Sequence, residues 1–273
     1  MTLVLSGNGK SGRRVAARLT DRGMPVRIGS RSGSPPFDWD DSSTWAPALA
    51  GVDRAYVAYV PDLGFPGAAE TIGAFAKTAV AAGVSRFVLL SGRGEEAAQR
   101  SEEAVRAAGG DWTVIRASWF NQNFSEDFLL ESVRSGVLAL PGPATRREPF
   151  ADVDDVADVA VAALTEDGHA GQTYEVTNRS SRTLAETVTL LGKAIGRDVR
   201  YVEVTPEEYR SALIEHGAPE DFAANLTRLF AGILDGRNED VTDGVQRALG
   251  RSPRDFPEYL SATAATGVWA SPA

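Results

Sequence analysis

The residues with the clearest chemical reading stand near the start of the chain, in the run Gly7-Asn8-Gly9-Lys10-Ser11-Gly12. Gly7 directly follows a short apolar stretch, Thr2 to Ser6, where a tight turn needs glycine's freedom in φ. Gly9 has no side chain where a pyrophosphate must approach the backbone, and Gly12 sits where a new helix packs closely on the strand. Free N–H groups at the start of that helix face the phosphates, and Lys10 adds a positive charge. G-x-G-x-x-G alone is a weak signal, but a strand before it and a helix after it are what the mechanism requires. The run predicts a dinucleotide cradle. A purely structural glycine turn is the alternative.

The end of the second strand, about 20 residues further on, decides which dinucleotide fits. An acid there holds a ribose 2′-hydroxyl. This chain has Ile28-Gly29-Ser30-Arg31-Ser32, with no acid before Asp38. Arg31 can pair with a 2′-phosphate in a fork, and Ser30 and Ser32 can hydrogen-bond it. The reading favours NADP(H), with NAD(H) as the alternative.

Proton transfer has fewer candidates. In a Tyr-x-x-x-Lys pair the lysine lowers the tyrosine pKa so that the phenol can donate. Four residues beyond Tyr56, Tyr59, Tyr174, Tyr201, Tyr209 and Tyr259 stand Val60, Leu63, Asn178, Thr205, Leu213 and Thr263. None is lysine. A quinone, reduced to a stabilised phenolate, or an iminium, which needs no proton, can be reduced by positioning alone. Ser91, at the carboxyl end of its strand, is the candidate catalytic residue; a strand-end cap is its competing role.

The elements that hold these residues follow from periodicity. Apolar strands at 2–6, 25–29, 55–60, 86–90 and 112–116 alternate with helices at 12–22, 68–82 and 95–108, and a short helix ends near Leu49. That alternation predicts βαβ crossovers and a parallel sheet covered on both faces. Further on, helices are expected at 121–135, 154–164, 184–195, 206–234, 242–249 and from Phe256, with strands near 138–142, 173–177 and 199–204. The fold class is α/β, a Rossmann-type doubly wound parallel sheet. Residues 1–120 form the dinucleotide-binding core, and 121–273 a smaller, mostly helical C-terminal substrate lobe interleaved with it.

Composition sets outer limits. A net charge of −9 repels phosphate backbones and argues against nucleic acid. The absence of cysteine removes disulfides, thiolate nucleophiles and cysteine-ligated metals, and no metal site is expected. The two histidines, His169 and His216, lie in polar turns and read as solvated. No apolar run approaches the roughly 20 residues of a membrane span. A cytoplasmic protein is expected; an oligomer and a partner enzyme of the same pathway are compatible with the sequence.

Several stretches resemble the NmrA-like group of atypical short-chain dehydrogenases. They include the first βαβ unit with Arg31, the block from Gly83 to Ser91, and Asp111-Trp112-Thr113-Val114-Ile115-Arg116-Ala117-Ser118-Trp119-Phe120-Asn121-Gln122-Asn123-Phe124. Phe150 to Ala157 and Gly250 to Phe256 also match, and the likeness is nearest to the ergot-alkaloid-type reductases, with quinone and triphenylmethane reductases as relatives. Ala117 and Ser118 stand where the group usually has proline, and Asn8 replaces a small residue or threonine. The resemblance implies a Rossmann fold and NADP(H). It places the Tyr59-Val60-Pro61 turn against the cofactor. Trp39 and Asp38 either flank the adenine or simply pack in their loop. Tyr59, Trp119, Phe120 and Phe124 are read as lining the pocket, with Asn121 and Asn123 as polar anchors, a lining that suits a flat polycyclic acceptor; core packing is the competing reading, and for Phe124 the stronger one. The expected activity is reduction of a quinone or related polycyclic aromatic, as in polyketide biosynthesis, with the quinol able to serve an oxygen-dependent hydroxylation. An imine reductase is the second reading, and a non-catalytic dinucleotide sensor the rival from another class.

Overall fold

The computed structural model describes residues 1–127 and 129–270. The first half alternates as expected: β1 (Thr2–Leu5), α1 (Lys10–Asp21), β2 (Val26–Gly29), α2 (Trp45–Leu49), β3 (Arg54–Val57), α3 (Ala68–Ala81), β4 (Arg86–Gly92), α4 (Glu96–Ala108) and β5 (Asp111–Ala117). Next come α5 (Asn123–Glu126), α6 (Leu129–Ser135), β6 (Val137–Leu140), β7 (Arg147–Glu148), α7 (Val153–Thr165), β8 (Thr173–Val176) and β9 (Arg182–Thr183). The chain continues with α8 (Leu184–Ile195), β10 (Arg200–Glu203), α9 (Pro206–Glu215), α10 (Glu220–Ile233), α11 (Gly244–Leu249) and α12 (Phe256–Ala265).

These elements form two compact units. The first takes Met1–Ala117, Val153–Val176 and Asp243–Ser252; the second takes Ser118–Asp152, Thr177–Thr242 and the chain from Pro253. The expected division at residue 120 therefore needs correction: α7, β8 and α11 fold with the first unit, not with a C-terminal lobe. Burial explains their place, because α7 is apolar around most of its circumference and buries Val156, Val159, Ala160 and Ala163.

The first unit is built on a six-stranded parallel sheet, in the order β2-β1-β3-β4-β5-β8. The strand order reverses between β1 and β3, a switch point where doubly wound sheets open a crevice for ligands. Leu3, Val4, Ala55, Val88, Val114 and Ile115 are fully buried, as two covered faces require. α1 turns Gly12, Val15, Ala16 and Leu19 inward at helical spacing and closes at Gly23, whose φ of 70° is left-handed. Arg18 ion-pairs with Asp154 and Asp158 of α7, and Arg251 with Asp155 and Asp158. These acids of α7 thus clamp it to its neighbours.

The second unit departs more from expectation. The single helix expected over Asn121–Ser135 is two helices, parted where Asp127 is extended; Phe128 lies outside the described residues. The helix expected from Pro206 to Leu234 also divides, because Gly217 takes a φ of 90° ahead of Pro219. β6 pairs with β10 in parallel, and the two-residue strands β7 and β9, not expected, pair antiparallel. The core gathers Phe124, Phe150, Phe230 and Phe256. Of the helix expected from Phe256, residues 271–273 lie outside the described residues.

His169 also departs from expectation. It is 7% exposed, and its Nδ1 lies 2.9 Å from the Tyr174 hydroxyl. Burial lowers its pKa and favours the neutral ring. His216 is exposed at the end of α9, as expected. Among the described residues no helix is long and apolar enough to cross a membrane.

Candidate functional site

The glycine run turns β1 into α1, and the left-handed residue there is Ser6, with a φ of 52°. Gly7 was expected to take that role; its reason is space instead, since a Cβ there would meet Ile28 Cγ2 at 2.7 Å. At Gly12 the conflict is with backbone: a Cβ would lie 2.3 Å from the Ser6 carbonyl oxygen. The Gly9 amide donates to that same oxygen at 2.8 Å. α1 therefore begins tight against the strand end. Its N-cap, Gly9, offers no capping side chain, and no acid stands in the first turn. Asn8 is exposed, Lys10 half-buried and Ser11 buried. Beneath the turn the Tyr56 hydroxyl is buried near Ser11 without a well-formed hydrogen bond, and burial keeps it a neutral phenol. An uncapped helix start with a slim approach fits a pyrophosphate.

Beyond β2 the chain turns at Ser30, whose carbonyl accepts from the Gly33 and Phe37 amides, each at 2.9 Å. Ser30 Oγ lies 3.4 Å from Ser32 Oγ. Arg31 is exposed, and among the described residues its guanidinium has no carboxylate partner. Asp38 accepts from the Asp40 amide within its own turn. Trp39 is an edge-on neighbour of Phe37, Tyr59 and Phe75. Tyr59 thus packs on Trp39, while Val60 and Pro61 are exposed.

At the end of β4 the Ser91 hydroxyl is buried and donates to Glu102 Oε1 at 2.8 Å. Its proton, expected to serve chemistry, is directed into the unit. Glu102, itself fully buried, also accepts from Arg116 Nε and Nη2 at 2.9 and 2.7 Å and from Arg106 Nη2 at 3.3 Å. Just beyond, the Glu95 carboxyl folds back onto Gly92, so that a Cβ there would fall 1.9 Å from its Oε1. Asp62, in the loop after β3, accepts from the Gly64 amide at 2.7 Å.

Within the second unit, Trp119 stacks on Phe150 with ring centroids 5.8 Å apart and leans on Phe230. Phe120 is half-buried, and its backbone bridges to Ala151. The Asn121 Nδ2 donates to Asp152 at 3.3 Å, whereas its Oδ1 is buried without a partner. Asn123 is 5% exposed. Phe124 is core, as expected.

The model of the NmrA-like family matches residues 36–260. The chain belongs to the NmrA-like family. Agroclavine dehydrogenase of Claviceps fusiformis is 29% identical over 279 residues, spanning 96% of each chain. The NAD(P)H azoreductase of Xenophilus azovorans is 30% identical over 289 residues, spanning 97% of this chain and 98% of that protein. Among solved structures, the NADPH-dependent quinone oxidoreductase of Escherichia coli, complexed with NADPH, shares the fold. Its TM-score is 0.79 at 20% identity, with 96% of this chain and 99% of that one covered.

The glycine run precedes the stretch that the NmrA-like model matches, so its reading rests on its own geometry. Sequence reasoning missed Glu102, Asp62 and Glu95. A signal for Glu102 was present, because it shares one face of α4 with Ala98, Ser101 and Val105, where a carboxylate must find partners. Asp62 and Glu95 carried no such signal, since they stand in loops and meet only through the sheet.

Proposed function

We propose that this chain uses NADPH to reduce a quinone or a related polycyclic aromatic. It is an NAD(P)H-dependent oxidoreductase of the NmrA-like type. The observation that carries the NADPH preference is Arg31, exposed at the end of β2 without a carboxylate partner among the described residues, in a stretch that has no acid to hold a 2′-hydroxyl. Its guanidinium takes two oxygens of a 2′-phosphate, and Ser30 and Ser32 donate to the rest. Backbone amides of the first turn of α1, with Lys10, hold the pyrophosphate. The turn at Tyr59, Val60 and Pro61 bounds the nicotinamide. Bound there, the reduced dinucleotide supplies a hydride to the acceptor. Trp119 and Phe120 give the acceptor flat apolar contact, and Asn121 and Asn123 fix its orientation. Relatives named for azo and quinone acceptors support a conjugated substrate.

The test is NADPH consumption with a panel of quinones, followed by Arg31→Ala. The variant should lose about ten- to a hundredfold in kcat/KM for NADPH, the worth of charge-assisted hydrogen bonds, and keep its value for NADH. An unchanged ratio between the two cofactors removes Arg31 from the site. NADPH binding without turnover of any acceptor turns the reading toward a sensor.

A further inference from the structure

We propose that Glu95 is the proton donor of the reduction, its carboxyl seated on Gly92 at the carboxyl end of β4 and facing Asp62 across the neighbouring strand end. The inference rests on the reductase reading and supplies the acid that it lacks. No tyrosine has a lysine four residues on, and the Ser91 proton is committed to Glu102. Glu95 is placed differently. It stands three residues past Gly92, beyond the carboxyl end of β4, the end of the strands at which α/β sheets hold their ligands, and it is half-buried. The absent Gly92 side chain is its seat: any Cβ at that position would overlap the carboxyl, and the overlap is with Oε1, Cδ and Oε2 alike.

Its surroundings hold the proton on. Burial first, and the negative charge of Asp62 second, push the Glu95 carboxyl up to about 8. Asp62 is itself raised by burial, although the Gly64 amide opposes this. Nearby cations are turned elsewhere: Arg93 pairs with Glu175, and Arg116 with Glu102 and Glu175. Among the described residues neither Glu95 nor Asp62 has an arginine or lysine partner. Two carboxyls that share one field do not both ionise at neutral pH, so one keeps a proton ready to give.

As the acceptor takes two electrons and one hydrogen from the dihydronicotinamide, its developing oxyanion takes the proton of Glu95. The O–H bond of Glu95 breaks, the O–H bond of the acceptor forms, and water reprotonates the carboxylate. Oxidised dinucleotide and reduced acceptor are the products.

The experiment compares a neutral quinone, whose developing oxyanion Glu95 would protonate, with a cationic triarylmethyl dye, which takes hydride alone and leaves no oxyanion. For the wild type, kcat with the quinone should fall as pH rises through about 8. E95Q should lower that kcat by about a hundredfold, flatten the profile and leave the NADPH Kd unchanged, with a much smaller loss on the dye. E95D should restore part of the rate. Independently of turnover, carbon-13 NMR of labelled glutamate should show a carboxyl titrating well above the ordinary range that disappears in E95Q. Equal losses on both acceptors, or a wild-type profile retained in E95Q, would overturn the donor role. So would ordinary titration of Glu95. A wild type that turns over neither acceptor, though Glu95 keeps its proton, sinks the reductase reading and the donor role with it.

Discussion

Replacing Gly12 with alanine (G12A) is expected to weaken NADPH binding by about a hundredfold, the scale of a 1 Å misplacement in a preorganised site. The added Cβ would stand 2.3 Å from the Ser6 carbonyl oxygen, 2.8 Å from its carbon and 2.9 Å from Gly7 Cα. All three are backbone atoms, so no rotamer relieves the clash. α1 must shift as a body, and the amides at its first turn move with it. The accompanying strain costs about 1–3 kcal/mol of stability. Gly9→Ala is the graded control, because its Cβ would lie 3.1 Å from the same oxygen, a conflict that a few tenths of an ångström resolves. Fluorescence titration with NADPH should rank the wild type above G9A and G9A well above G12A. Equal affinities for G12A and the wild type would show that no phosphate rests on that turn.

Replacing Glu102 with leucine (E102L) should produce the largest loss of stability, about 3 kcal/mol, from stranding the charges that it now neutralises. Four donated hydrogen bonds converge on its fully buried carboxylate, from Ser91, Arg106 and twice from Arg116. Arg116 and Arg106 keep 22% and 32% of their side-chain surface exposed, so water softens the penalty below that of a sealed pair. The Tm should drop by about 6–12 °C, as expected for a chain of this size. Glu102→Gln retains an acceptor for Ser91 and should lose about half as much. Differential scanning calorimetry measures both. A Tm for E102L within a degree or two of the wild type would mean that the arginines find other partners at no cost.

Much of the first unit is legible in the amino-acid sequence. β1 to β5 and the helices between them lie within a residue or two of their expected bounds in most cases, because strands buried on both faces are apolar throughout and helices carry an apolar stripe. The glycine run is equally legible, since the close approach of α1 to the end of β1 leaves no room for a Cβ at Gly7 or Gly12. α8 matches its expected span, Leu184–Ile195, its start marked by the Thr183 and Glu186 capping box and its end by Gly196.

What sequence alone determined is the local part: which segments bury one face and where the backbone approaches too closely for a side chain. Periodicity and turn chemistry act over a few residues, and so can be read a few residues at a time. The tertiary structure decided everything that depends on distant partners. It drew 153–176 and 243–252 back into the first unit, buried His169 against Tyr174, and turned Ser91 toward Glu102. It also set the Glu95 carboxyl on Gly92 and within the field of Asp62. A carboxyl's affinity for its proton is fixed by burial and by neighbouring charge, and both arise only when the sheet brings separate loops together.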